Sequence, residues 1–125
     1  MLARRRAFSL QERSVLDAEI RARAMQLPVF QSARTVMMYA STAEEIDLFP
    51  LMENLLEEGW RILLPEITGK GMMEARALSS MDALVKGPFG ILAPDPAHTT
   101  QIPPDEIDLI IVPGAAFSAD GSRLG

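Results

Sequence analysis

Glu44-Glu45-Ile46-Asp47 places three carboxylates within four residues. Such a group could bind a metal, accept N–H donors from a ligand, or cap a helix. Asp47 suits the cap, because a helical pattern follows it. Glu45 is less easily absorbed that way, and a carboxylate there would suit a ligand presenting paired N–H groups, such as a pterin or purine edge. The second candidate is the stretch DLIIVPGAAFSADGSRLG, from Asp108 to Gly125. It combines a buried strand, DLIIV, with a loop built from Pro113-Gly114, a turn at Asp120-Gly121, and Arg123-Leu124-Gly125. Glycines let backbone N–H groups approach an anion, and an arginine matches phosphate or carboxylate oxygens in bidentate fashion. A surface turn with a solvated arginine accounts for the same residues equally well, since the chain has neither a Walker A loop nor a GxGxxG. Phe89 beside Gly90 could stack on a flat ring, although filling the core is the commoner fate of a phenylalanine. His98, the single histidine, sits in a loop without an evident partner. Neither a Ser-His-Asp triad nor a histidine-based metal site is therefore supported.

The chain that must position these residues has 125 of them, with 48% hydrophobic and 23% charged. That is one domain by size and an ordinary globular composition. Without cysteine there is no disulfide framework and no thiolate chemistry. The basic segment Met1 to Phe8 is not followed by an apolar signal core, and no apolar run approaches a membrane span. A cytoplasmic address, with no membrane partner, is expected. A net charge of −5 opposes a general nucleic-acid binder, which needs a positive field. Up to Arg23 six arginines face three acidic residues, so this segment is +3 and the remainder −8. The solvated face of a helix explains that bias more simply than an anion-reaching arm.

Ser9-Leu-Gln-Glu12 forms a capping box, and Leu16, Ile20, Ala24 and Leu27 repeat at helical spacing until Pro28. Thr35 to Ala40 suits a strand buried on both faces. A second helix follows Asp47, with Pro50 in its first turn, an inner face of Leu48, Leu51, Met52, Leu55 and Leu56, and Gly59 as its stop. Arg61 to Leu64 is a second buried strand that Pro65 closes. Met72 to Leu78 is ambiguous but strand-like, and a short helix is expected near Ser80 to Lys86. Residues 87–104 hold five of the nine prolines and are expected to be mostly irregular. Alternating strands and helices predict parallel βαβ pairing in a layered α/β sandwich.

Together these pieces closely resemble one family. A capped basic helix, a YxxxxxEID segment from Tyr39 to Asp47, the Phe-Gly-Ile-Leu-x-Pro loop at Phe89 to Pro94, and the block ending in RLG occur in that order. This is the pattern of 5-formyltetrahydrofolate cyclo-ligase, also called methenyltetrahydrofolate synthetase. The resemblance covers essentially the whole chain, and the final block is its most specific part. It implies a three-layer α/β/α sandwich with a mainly parallel sheet, like the NagB/RpiA/CoA-transferase group. It also implies conversion of 5-formyltetrahydrofolate to 5,10-methenyltetrahydrofolate with ATP and magnesium. By the same resemblance Arg123, Leu124 and Gly125 begin the loop for the ATP phosphates, Glu45 holds the pterin, Ala40 is a neighbouring substrate contact, and Phe89 lies against the folate. The family pattern continues past RLG into GxGxYYDR, which supplies further phosphate contacts and an aspartate for magnesium. This chain stops at Gly125 and so carries no metal ligand by that pattern. At the other end there is no room before Ser9 for the family's Lys-x-x-x-Arg pair. Little or no turnover by these residues alone is therefore expected. The competing readings are a non-catalytic folate- or nucleotide-binding remnant, and a domain whose open sheet edge is covered by a partner chain.

Overall fold

The computed structural model describes residues 9–42, 45–69, 72–87, 90–112, 116–117 and 123–124. Helix α1 (Leu10–Met25) begins as expected: Glu12 N–H donates to Ser9 Oγ at 3.1 Å, and Ser9 N–H donates back to the Glu12 carboxylate at 3.4 Å. It ends at the Gln26 cap, and Pro28 opens the short helix α2 (Pro28–Ser32). The apolar stripe expected to face inward does not do so. Leu16 is 39% and Ile20 44% exposed, and Leu27, beyond the helix end, is 52% exposed. The half-buried positions are instead Arg13, Asp17 and Arg21, four residues apart, followed by Ala24 and Met25. Spacing defines a face but not its partner, and among the described residues it is the last turn of α1 that reaches the core.

Strand β1 (Thr35–Met37) is fully buried, and Met38 extends its ladder by donating to Leu63 O at 2.9 Å. Helix α3 (Phe49–Glu57) buries Leu51, Met52 and Leu55. Its end is a Schellman motif, in which Gly59 N–H donates to Leu56 O and Trp60 N–H to Leu55 O. Gly59 has φ +88°, a backbone conformation natural only to glycine there.

Strand β2 (Arg61–Gly69) runs well past Pro65, contrary to the sequence expectation. The reason is the sidedness of its hydrogen bonds. Arg61 N–H and Leu63 O point to β1, so position 65 also points there, one residue beyond the β1 ladder. At that ladder end the missing N–H forfeits a single bond, to the Met38 carbonyl, and leaves the β3 side of the strand intact. On the other side β2 continues as a hairpin with β3 (Met72–Leu78), which is a regular antiparallel strand.

The helix expected near residues 80–86 is a single 3-10 turn, Met81–Ala83, leading into strand β4 (Leu84–Lys86). The proline-rich stretch is less irregular than expected. It carries β5 (Leu92–Pro94), which pairs with β4, and β6 (Thr100–Ile102), which pairs with β3. Strand β7 (Leu109–Ile110) completes a five-stranded sheet of order β6-β3-β2-β1-β7. Its core, β2-β1-β7, is parallel, and the β3-β6 wing is antiparallel. A separate pair, β8 (Ala116–Phe117) with β9 (Arg123–Leu124), is antiparallel.

The α/β class and parallel core agree with the sequence. Val36, Met38, Ile62, Leu64 and Leu78 pack with Phe30, Leu51, Met52 and Leu55 on the face covered by the helices. The opposite face holds Met37, Leu63 and Ile102, with Ala75, Ala77 and Ile107 against them. Among the described residues the helices cover the first face only. Residues 108–112, expected to be a buried strand, lie at the sheet edge: Leu109 and Ile111 pack inward, whereas Ile110 is 55% and Val112 47% exposed. Alternation sends Ile110 to the opposite face, where little covers it.

Candidate functional site

Strand β1 is flanked by β2 on one side and β7 on the other, both parallel to it. The chain leaves β1 toward β2 and returns on the far side of β1 as β7. The order of the sheet therefore reverses between β1 and β7, the kind of switch point beside which open α/β sheets bind ligands. The loop after β1 carries Glu45. The chain after β7 leads into the segment of Arg123 and Leu124. Register pairs Met37 with Ile110, so the two exits are side by side.

A cleft of about 470 Å³ lies at this edge, lined from α1 by Arg13, Ser14, Asp17 and Arg21, and from the opposite side by Ser41, Thr42, Glu45, Asp47, Phe49 and Pro50. Local hydrogen bonds shape the loop. Thr42 N–H donates to Glu45 Oε1 at 2.9 Å and Glu45 N–H returns to Thr42 O at 3.2 Å, which folds the glutamate over its own turn. Tyr39 Oη–H donates to Ile46 O, and Leu48 N–H to Ser41 Oγ, both at 3.4 Å. Asp47 acts one residue ahead of the helix cap at Leu48, accepting from Phe49 N–H at 3.0 Å. Glu45 is half-buried at the cleft. A carboxylate with one oxygen engaged by its own loop can offer the other to an N–H donor of a bound ring.

Ala40 stands at the strand end, one residue before the cleft-lining Ser41, and packs on the helix-side core. Arg123 and Leu124 form a two-residue strand against Ala116 and Phe117, which establishes their backbone pairing and nothing about their side chains. Phe89 and Gly125, together with Glu44, Pro113-Gly114 and Asp120-Gly121, lie outside the described residues. Among the described residues no three of His, Cys, Asp and Glu come together as a metal site, and no helix is long and apolar enough to cross a membrane.

Sequence reasoning missed two things. His98 does have a partner, since its Nδ1 lies 2.7 Å from Asp95 Oδ2. That contact and the Ala97 N–H hold the Asp95 carboxyl below its ordinary pKa. A lone Asp-x-x-His spacing was the available signal. The second omission is the wall of α1, where Arg13, Asp17 and Arg21 enter the cleft. Their recurrence every four residues was visible, but it was assigned to solvent.

The 5-formyltetrahydrofolate cyclo-ligase family model matches residues 1–125. The 5-formyltetrahydrofolate cyclo-ligase of Escherichia coli K12 is 29% identical over 124 residues, covering 98% of this chain and 68% of that protein. A probable 5-formyltetrahydrofolate cyclo-ligase of Caenorhabditis elegans is 32% identical over 103 residues, 77% of this chain and half of that one. Among solved structures, the 5,10-methenyltetrahydrofolate synthetase of Aquifex aeolicus superposes with a TM-score of 0.86 at 32% identity, over 99% of this chain and 62% of its own. The Mycoplasma pneumoniae synthetase, at 21% identity and a TM-score of 0.72, shares the fold. This chain thus spans one half to about two thirds of the length of these relatives. Matched along its whole length by the family model, the chain belongs to the 5-formyltetrahydrofolate cyclo-ligase family.

Proposed function

We propose that this chain forms the folate-binding side of an ATP-dependent 5-formyltetrahydrofolate cyclo-ligase. The observation that carries the reading is Glu45, half-buried in a cleft beside the reversal point of the parallel sheet. In this reading the Glu45 carboxylate accepts N–H bonds from the pterin ring, with Ala40 and Phe89 as further substrate contacts. The nucleotide phosphates lie toward Arg123, Leu124 and Gly125. Transfer of the terminal phosphoryl group to the formyl oxygen activates its carbon. Attack by N10 then closes the ring, and phosphate carries the formyl oxygen away. The protein's share is positioning and charge neutralisation. Magnesium enters only as the ion that accompanies the nucleotide. The enzyme works as a soluble cytoplasmic protein on a small-molecule substrate.

Calorimetry with 5-formyltetrahydrofolate tests the site. Binding is expected, and Glu45→Ala should weaken it about tenfold, the effect of one hydrogen bond to a charged group. Equal binding by both proteins would remove Glu45 from the site. Adding ATP and magnesium and following methenyltetrahydrofolate absorbance separates the two functional readings. Product supports the ligase, whereas binding without product favours the non-catalytic alternative.

A further inference from the structure

The cleft has a wall with no assigned role. On α1, Asp17 and Arg21 are four residues apart and face the Glu45 loop, and both grip one residue of it. Asp47 N–H donates to Asp17 Oδ2 at 3.1 Å, and Arg21 Nη1–H donates to Asp47 O at 2.6 Å. A carboxylate and a guanidinium thus hold the donor and the acceptor of a single residue. Both bonds are charge-assisted, the stronger kind of hydrogen bond. Two bonds to one residue fix its rotation as well as its distance. Asp47 is two residues from Glu45, and its other contacts lead into α3 through Phe49 N–H.

The location of these contacts on α1 matters. The helix buries no apolar stripe: Val15 is 61% exposed, Leu16 39% and Ile20 44%. Its inward face is Arg13, Asp17 and Arg21, and among the described residues its apolar attachment is Ala24 and Met25. A helix docked only for stability would turn its leucine and isoleucine inward. This one turns its charged residues inward instead, onto the loop that carries the site's carboxylate.

We propose that Asp17 and Arg21 are positioning residues, a two-pronged clamp on Asp47 that holds Glu45 in its ligand-ready place. The clamp sets the affinity for the ring that Glu45 engages without touching that ring. The inference rests on the folate reading of Glu45 for its ligand, but not for its geometry.

Two measurements test it separately. The first follows hydrogen exchange of the Asp47 amide by NMR and needs no ligand. Asp17→Ala should accelerate that exchange about tenfold while Asp17→Asn, which keeps an acceptor, should leave it slow. Unchanged exchange in Asp17→Ala would overturn the clamp, whatever the protein binds. The second is calorimetry with 5-formyltetrahydrofolate. Arg21→Ala should weaken binding about fivefold to tenfold, and Arg21→Lys should recover most of the loss. In a Glu45→Ala background, Arg21→Ala should cost nothing further, because its effect passes through Glu45. Equal losses with and without Glu45 would show that Arg21 acts by another route and would overturn the proposal. Thermal unfolding monitors the fold of every variant. If the wild type binds no folate while Asp17→Ala still frees the Asp47 amide, the folate reading fails and the clamp stands.

Discussion

The two ends of the parallel strands are built on opposite plans. At the amino end, contacts tie the strands and the residues leading into them to one another. Asp108 Oδ2 accepts from both Arg34 N–H and Thr35 N–H at 3.0 Å, and Asp108 N–H donates to Thr35 O at 2.9 Å. Arg61 donates to Thr35 Oγ1 at 3.1 Å and pairs with Glu106 at 3.0 Å. Trp60 packs on Phe30 with ring centroids 5.6 Å apart, and the Arg34 guanidinium lies 4.9 Å above its ring. At the carboxyl end the described residues of the loop from Ser41 to Asp47 bond among themselves, to the adjoining ends of β1 and α3, and to α1, at 2.6 to 3.4 Å. One end joins the strands, while the other leaves a cleft beside a carboxylate. Fold and candidate site are thereby separated along a single sheet, as the loops at strand carboxyl ends allow.

The strongest way to break this contrast is through the core that both ends share. Leu55, 1% exposed beneath the sheet, should cost roughly 2–5 kcal/mol as Leu55→Ala. Urea unfolding followed by Trp60 fluorescence reads that loss. Next comes the carboxyl end. Glu45→Ala should reduce 5-formyltetrahydrofolate affinity about tenfold while moving stability by less than about 0.5 kcal/mol. A large fall in stability would show that Glu45 holds the fold rather than the ligand. At the amino end Arg34→Met removes the charge above Trp60, and a loss of about 0.5–1 kcal/mol is expected. Folate affinity should stay constant, and a matching change in affinity would erase the distinction between the ends.

The smallest effect concerns acid. The Arg34 and Thr35 N–H groups hold the Asp108 carboxyl below its ordinary value of 3.8, helped by the nearby Arg61 and Arg34 charges. A depressed folded-state pKa means that this contribution is complete above the unfolded value. It disappears as pH falls through the lower, folded one. Asp108→Asn should therefore flatten the dependence of stability on pH below about 4. Asp95, lowered by His98, acts in the same window and remains in that variant.

How much could be read from residues alone differs from element to element. The capping box at Ser9 and the glycine stop at Gly59 were legible because each is satisfied within a few residues. Strand β6, inside a proline-rich stretch, was not, because its ladder partner β3 lies more than twenty residues away in the chain. Pro65 was misjudged for the same reason: local chemistry says that a proline ends a strand. Whether it does depends on which neighbour its missing N–H would have faced.

The candidate site divides in the same way. Glu45 and the RLG block could be picked out by residue type and family pattern. Asp17 and Arg21 could not, since they meet Asp47 across 30 and 26 residues of chain. By itself, then, the amino-acid sequence determined the family, the α/β class, and the helix ends closed by local hydrogen bonds. Only the tertiary structure decided which face of α1 turns inward and which residues wall the cleft beside Glu45. Periodicity specifies the faces that an element offers, but the choice among them depends on what the rest of the chain brings against it.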